Sequence, residues 1–158
     1  MVQRFSTFVV MAAFVTFLGF PQAFAERSPG NLGIGLGSAT MTSGISVKQF
    51  AGPTAFQLTA GCWQSCDGPA ASLDFLYNMP AFVTTEAVLL AWNMGFGGAL
   101  GFGDGELGAG AAFIAGLEFL FQPLPFDLVL EWRPGLYVLP DIDITLVNFG
   151  GHLRFYFF

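Results

Sequence analysis

The feature that most constrains this fold is an alternation with a period of two, which recurs along most of the chain. In the last segment, positions 147, 149, 151, 153, 155 and 157 read Val, Phe, Gly, Leu, Phe and Phe, whereas the positions between them read Asn, Gly, His, Arg and Tyr. Successive residues of a β-strand point to opposite faces, so one apolar and one polar face predict a strand. The same separation predicts eight strands, at residues 32–37, 45–48, 56–59, 71–78, 88–97, 113–121, 126–133 and 147–157.

Short segments rich in Gly, Pro, Asn and Asp separate the predicted strands, as turns require. Seven such connections join eight strands. Transmembrane strands of about 9 to 11 residues would use roughly 80 residues of the segment 26–158, leaving about 50 for the connections. Ten strands would leave too few residues for nine connections. The spacing therefore predicts an all-β fold, an eight-stranded antiparallel up-and-down barrel.

The scarcity of charge favours a barrel that spans a membrane. Hydrophobic residues make up 54% of the chain and charged residues only 10%, whereas a soluble surface needs about a quarter of its residues charged. We therefore expect the apolar faces to meet lipid and the polar faces to fill the interior. A soluble sandwich or barrel with the faces reversed is the alternative. An eight-stranded barrel is only wide enough for side chains, so inward glycines are expected to make room for long charged neighbours. These are Gly33, Gly35, Gly37, Gly95 and Gly97.

The N-terminal segment predicts export. Arg4, an apolar run over residues 8–20 and the triplet Ala23-Phe24-Ala25 predict a signal peptide over residues 1–25, with a signal anchor as the alternative. Residues 26–158 then form one outer-membrane β-barrel domain. Without Arg4 the chain keeps four basic residues against eleven acidic ones, a net charge of −7. That balance argues against nucleic acid as a partner, because phosphates are bound by Lys and Arg.

A set of ionisable residues falls on the predicted inward faces. It comprises Lys48, Asp74, Glu118, Asp127, Glu131, Arg133, His152 and Arg154. Buried charges must pair and form hydrogen bonds, because desolvation is otherwise too costly. We interpret the set as a polar plug that fixes the register and fills the barrel. A narrow gated pore for ions or small solutes, whose conduction breaks these pairs, is the alternative.

The chemistry of the inward residues does not predict catalysis. His152 is expected near Glu131, which raises a lipid-modifying enzyme as a distant alternative. Acyl transfer needs a hydroxyl within reach of the histidine, but position 154 is Arg and the preceding strand offers no Ser or Thr. One histidine is too few for a Cys/His metal cluster. We therefore predict no cofactor, no metal and no enzyme activity.

Cys62 and Cys66 flank a predicted outer loop in an oxidising compartment, so we expect a local disulfide, with free thiols as the alternative. Trp63 lies between them, and its place near a rim predicts membership of an aromatic girdle facing the membrane. The outer loops also hold acidic residues, which are expected to be solvated: Asp67, Asp104, Glu106, Asp141 and Asp143.

The two ends of the predicted barrel carry motifs that resemble a known family. The motifs are Gly33-Ile34-Gly35-Leu36-Gly37 with Ser43 to Phe50, and Pro123-Leu124, Leu128 to Trp132, Pro134, Gly150-Gly151 and Arg154 to Phe157. They resemble the small outer-membrane β-barrels of bacteria, the class of OmpX and the membrane domain of outer membrane protein A. The closest resemblance is to a largely uncharacterised family of small barrels. It implies a monomer in outer-membrane lipid and lipopolysaccharide, with both termini periplasmic.

The resemblance also gives the last strand a role. In outer-membrane proteins this strand ends in an aromatic residue preceded by apolar residues at every second position. The barrel-insertion machinery reads it, and periplasmic chaperones assist delivery. Here the resemblance implies an insertion signal at Phe149, Leu153, Phe155 and Phe157, with Phe158 as an extra residue beyond it. In this parity Arg154 turns inward. The overall expectation is a structural membrane component with a filled interior.

Overall fold

A computed structural model describes residues 27–63, 66–103, 105–122 and 124–157. Its strands are β1 (Leu32–Ala39), β2 (Thr42–Ala51), β3 (Thr54–Trp63), β4 (Pro69–Asn78), β5 (Val83–Thr84), β6 (Val88–Gly103), β7 (Glu106–Phe121), β8 (Phe126–Trp132), β9 (Gly135–Leu139), β10 (Asp143–Thr145) and β11 (Phe149–Phe157). Within these residues no helix is long and apolar enough to cross a membrane. The predicted signal peptide and Phe158 lie outside the described residues.

The sheet closes on itself. The wall runs β1, β2, β3, β4, β6, β7, β8 and β11, and β11 pairs with β1 from Leu32 opposite Phe157 to Ser38 opposite Gly151. All pairings are antiparallel, and β8 joins β7 to β11. The short strand β5 only extends the edge of β6. The prediction of a closed eight-stranded antiparallel barrel is confirmed.

Two wall strands are interrupted, so the eight wall strands are divided into ten, and the edge strand β5 is the eleventh. After β8 the chain passes Pro134 and continues as β9, which still pairs with β7. Proline cannot donate to a strand ladder, so the ladder breaks at this point. The Arg133 backbone N–H instead donates to the Asn148 carbonyl at 2.8 Å. The neighbouring wall strand is also divided, into β10, which pairs with β9, and β11, which pairs with β8. The predicted strand 126–133 is therefore too short, because the wall strand continues as β9. The predicted strand 147–157 starts too late, because the wall strand to which it belongs begins with β10.

The two faces of the wall differ in chemistry as predicted. Among the described strand residues, charged side chains point inward except Glu106 and Asp143, which begin strands at one end of the barrel. The outward positions carry large apolar side chains, among them Ile34, Leu36, Leu58, Leu73, Phe96, Leu130 and Leu153. Because side chains alternate in a strand, a single register places the whole apolar set on one face.

An apolar layer fills the interior near the chain termini. It includes Phe50, Leu76, Leu120 and Tyr156, and the rings of Phe50 and Tyr156 lie 5.7 Å apart. These residues share the inward parity of the charged set, next to which they pack. The interior is therefore a solid core of two parts, one apolar and one charged, where the sequence had indicated only a polar one.

Candidate functional site: the interior charge network

The structure places all eight predicted interior residues inside the barrel. Each is at most 2% exposed. They come from five strands and the residue after β8, and their side chains form three hydrogen-bonded groups across the interior.

The first group is centred on Glu118 of β7. Lys48 donates from Nζ to Oε1 of Glu118 at 2.6 Å. Arg27 donates from Nε to Oε2 at 2.9 Å and also from Nη2. The same guanidinium donates to the backbone carbonyls of Met79 at 2.5 Å and Trp92 at 3.2 Å. The segment before β1 is thereby fixed to the inside of the barrel.

Arg27 was not among the predicted interior residues. It precedes the first alternating segment, so strand parity gives it no face. One signal was available, since the predicted set holds three Lys or Arg residues against four carboxylates. Arg27 supplies the fourth basic group, and the interior is then electrically neutral when His152 is uncharged. Such balance is what a low-dielectric interior requires.

The second group joins Asp127 to Arg154. Arg154 donates from Nε to Oδ1 of Asp127 at 3.2 Å and from Nη2 to Oδ2 at 3.0 Å. The two parallel bonds are the geometry in which a guanidinium binds a carboxylate most strongly. The Tyr156 hydroxyl donates a further bond to Oδ2 at 2.7 Å.

The third group surrounds Arg133. It donates from Nη2 to Oδ1 of Asp74 at 2.7 Å, from Nη1 to Glu131, and from Nε to the Thr40 hydroxyl at 3.2 Å. His152 Nε2 lies 3.1 Å from Oε2 of Glu131. The expected contact between His152 and Glu131 is therefore confirmed.

Gln57 connects the second and third groups. Its Nε2 lies 3.0 Å from Oδ2 of Asp74 and 3.1 Å from Oε1 of Glu131, while its Oε1 accepts a bond from Arg154. Sequence reasoning missed this residue because it carries no charge. Its inward parity on β3 was the available signal.

Among the residues that the structure describes, the hydrogen-bond contacts of His152 include no hydroxyl group. Its Nε2 contacts Gln57 Nε2 and Glu131 Oε2, both at 3.1 Å, and its Nδ1 is buried without a hydrogen-bond partner. Neither an amide nor a carboxylate supplies the hydroxyl that acyl transfer requires. Within the described ranges, no cluster of three or more His, Cys, Asp or Glu residues is arranged to hold a metal ion. The geometry is that of a cross-linked core.

Inward glycines give the network its space. A Cβ atom on Gly97 would lie 1.9 Å from Oδ1 of its register partner Asp74, and one on Gly37 would lie 2.0 Å from Nδ1 of its register partner His152. The long polar side chains thus lie across glycines of the adjacent strand. The expectation that such glycines make room for large neighbours is confirmed at these positions.

We expect Gly97→Ala to lower the free energy of unfolding by about 1 to 3 kcal/mol, the range for overpacking. The added methyl must displace Asp74 from Arg133 and Gln57. Gly98→Ala is the matched control, because its Cβ would meet only the Gly110 carbonyl, at 3.7 Å. Urea titrations of the two variants, followed by tryptophan fluorescence, measure the difference. Equal losses at positions 97 and 98 would contradict the steric explanation.

The rim opposite the chain termini differs from the expectation at one residue. Cys62 and Cys66 are joined in a disulfide with their Cα atoms 4.6 Å apart. Trp63, however, does not face outward, and the prediction that it joins a membrane-facing girdle is wrong. Trp63 lies on the same inward face of its strand as Gln57. A Cβ atom on Gly108 would lie 1.5 Å from Cη2 of Trp63, so the indole ring occupies the space that a side chain at position 108 would need. Glycine on the facing wall provides the room for an indole inside the barrel.

The predicted insertion signal lies on β11. Phe149, Leu153 and Phe157 are exposed on the outward face, and Phe155 is half-buried on the same face. The ring of Phe155 contacts that of Phe157, with centroids 5.2 Å apart. The alternate residues His152, Arg154 and Tyr156 point inward, so this one strand carries part of the apolar surface and part of the charge network.

Comparisons with known proteins identify no family for this chain. No protein-family model matches it, and neither a curated protein nor a solved structure does.

Proposed function

We propose that this protein is an integral outer-membrane β-barrel, a structural membrane component with a side-chain-filled interior and no catalysis. The proposal rests on the placement of charged side chains on the inner face of the wall and apolar side chains on the outer face. Soluble proteins keep charged groups on their surface and bury apolar ones. Here the closed wall buries eight ionisable side chains and turns apolar side chains outward. Lipid is the solvent in which that arrangement is stable.

Strand length supports the same proposal. A strand that crosses the hydrocarbon core at a tilt needs about 9 to 11 residues. The strands β2, β3 and β4 have 10 residues each and β11 has 9, while β6 and β7 extend to 16. Outward rings form a continuous apolar row, with centroids 5.4 Å apart for Phe56 and Phe75 and 5.7 Å for Phe75 and Phe96.

The packing of the interior supports a sealed barrel over a pore. Arg133, Arg154, Tyr156 and Lys48 are among the largest fully buried side chains, and the apolar layer containing Phe50 lies beside them. A conducting path would have to separate buried ion pairs, and breaking such a pair costs about 3 to 5 kcal/mol. This cost favours a sealed interior over a narrow gated pore, and conductance measurements distinguish the two.

The proposal extends to biogenesis and location. Residues 1–25 act as a cleaved signal peptide, and the apolar alternation of β11 is read by the barrel-insertion machinery after transit with periplasmic chaperones. The outward positions Phe149, Leu153 and Phe157 support this reading. In this proposal the mature protein is a monomer among outer-membrane lipids and lipopolysaccharide. It is similar to the small barrels of the OmpX class.

Electrophoresis of the protein from washed outer membranes tests the proposal. We expect a faster band in SDS without boiling that shifts upward on heating, because a closed barrel resists the detergent. Recovery in the soluble periplasmic fraction, with no shift, would reject the membrane barrel. Planar bilayer recordings of the purified protein separate the two membrane roles. We expect no regular current steps, whereas reproducible small steps would favour the gated pore.

A further inference from the structure

A cavity opens at the end of the barrel opposite the chain termini. Its volume is about 360 Å³, within the range of about 300 to 1,000 Å³ typical of small-molecule sites. Residues from the β1–β2 turn, the end of β3 and the β9–β10 hairpin line it, among them Met41, Trp63, Tyr137, Asp141, Asp143 and Asn148. Neither the charge network nor the proposed structural role accounts for this cavity.

Trp63 forms an aromatic wall of the cavity. Its Cε3 lies 2.2 Å from the site of a Cβ on Gly101, and its Cγ lies 3.2 Å from that of Gly103. Gly108 lies under the six-membered ring. The indole therefore packs against the backbone of these glycines, and it also lines the cavity.

Tyr137 of β9 adds a second aromatic ring. Its Cδ1 lies 3.0 Å from the site of a Cβ on Gly110. Its hydroxyl accepts a hydrogen bond from Nδ2 of Asn148 at 3.3 Å, which fixes the ring. Two aromatic side chains held by glycines and by a hydrogen bond form a rigid surface, and the faces of such rings attract cations.

The exposed charged side chains at this end of the barrel are all acidic in the part of the chain that the structure describes, whereas Arg133, which reaches Thr40 of the β1–β2 turn, is buried and paired with Asp74 and Glu131. All four basic side chains of the described residues form ion pairs with carboxylates inside the barrel. The acidic residues at the open end have no such partner: Asp67, Glu106, Asp141 and Asp143. Two of them line the cavity. A concave site with one sign of charge concentrates ligands of the opposite sign.

We propose that this cavity binds a small organic cation, an aliphatic amine whose charged nitrogen lies against Trp63 and Tyr137 and is neutralised by Asp141 and Asp143. The carboxylates exclude anions by repulsion. The aromatic faces favour an alkylammonium ion over Mg²⁺, because a cation–π contact requires the cation to lose water on one side and Mg²⁺ dehydrates more reluctantly. This binding goes beyond the proposed structural role and needs only the folded barrel.

Calorimetric titration of the detergent-solubilised, folded protein with spermidine at low salt tests the proposal. We expect saturable binding, and an affinity at least about tenfold weaker in Asp141→Asn/Asp143→Asn, because that variant removes both carboxylates of the site. Asp67→Asn makes the same change at the same end of the barrel without lining the cavity, so its affinity should match the unmodified protein. Equal weakening by Asp67→Asn would overturn the site in favour of general electrostatic attraction.

Two further variants test the aromatic wall. Trp63→Phe keeps a ring and should retain most of the affinity, whereas Trp63→Leu keeps an apolar side chain without a ring and should lose it. Full displacement of spermidine by equimolar Mg²⁺ would overturn the organic cation in favour of a metal ion. Heat-modifiable mobility of every variant is the control for folding. Absence of binding to a barrel that passes this control rejects the cation site and leaves the proposed membrane role intact.

Discussion

Replacement of Arg154 by alanine is expected to lower the free energy of unfolding by about 3 to 5 kcal/mol, the range for breaking a buried ion pair. Arg154 donates to both oxygens of Asp127 and to Gln57. Its loss leaves the Asp127 carboxylate buried, with the Tyr156 hydroxyl as a donor but without a positive charge. Urea unfolding in lipid vesicles, followed by tryptophan fluorescence, measures the change.

A double variant separates the loss of the pair from the loss of packing. Arg154→Met/Asp127→Leu removes both charges and keeps apolar volume, so it should recover most of the stability lost in Arg154→Ala. Leu153→Ala shortens the outward neighbour on the same strand and should cost much less. Stability unchanged in Arg154→Ala, together with the appearance of current steps, would contradict the plug and support the gated pore.

The interior residues were predictable because a closed sheet makes strand parity decisive. Once β11 pairs with β1, every alternating segment has one face toward the interior. A shift of one residue would turn the whole apolar set of a strand inward, so the register is strongly specified. Lys48, Glu118 and Arg154 lie far apart in the chain, yet each could be assigned to the interior from its immediate neighbours.

Contacts between the strands were less predictable, because they depend on which strands face each other across the interior. Arg27 reaches Glu118 over 91 positions of the chain from a segment that is not a strand. Gln57 bonds to Glu131 over 74 positions. Parity gives a residue its face but gives no partner on the opposite wall. Neither the tether formed by Arg27 nor the link formed by Gln57 follows from any local pattern.

The predicted face of Trp63 was wrong because the prediction followed the general placement of aromatic residues and not the parity of strand β3. Aromatic residues near strand ends usually face the membrane boundary, and this rule led to the wrong face. The parity of β3 already placed Trp63 with Gln57 on the inward side. The space for its ring comes from Gly101 and Gly108 on two other strands. The parity of β3 therefore gives the face of Trp63, and glycines in other strands explain how a ring of this size fits there.

Leu73→Arg is expected to lower the free energy of unfolding in a bilayer by about 2 to 4 kcal/mol, the cost of an arginine facing lipid near the midplane. Leu73 lies in the middle of β4, 58% exposed on the outward face, where its register partners are Leu58 and Gly98. Leu73→Ala is the matched control, because it removes the same apolar contacts and adds no charge. The comparison is made by urea titration in vesicles, with each variant first shown to be heat-modifiable. On a water-facing surface the arginine would be tolerated within about 0.5 kcal/mol, because exposed charge carries no desolvation penalty there. A loss confined to Leu73→Arg therefore identifies the surroundings of β4 as lipid, whereas no loss would mean that the apolar wall of this barrel faces water or another protein.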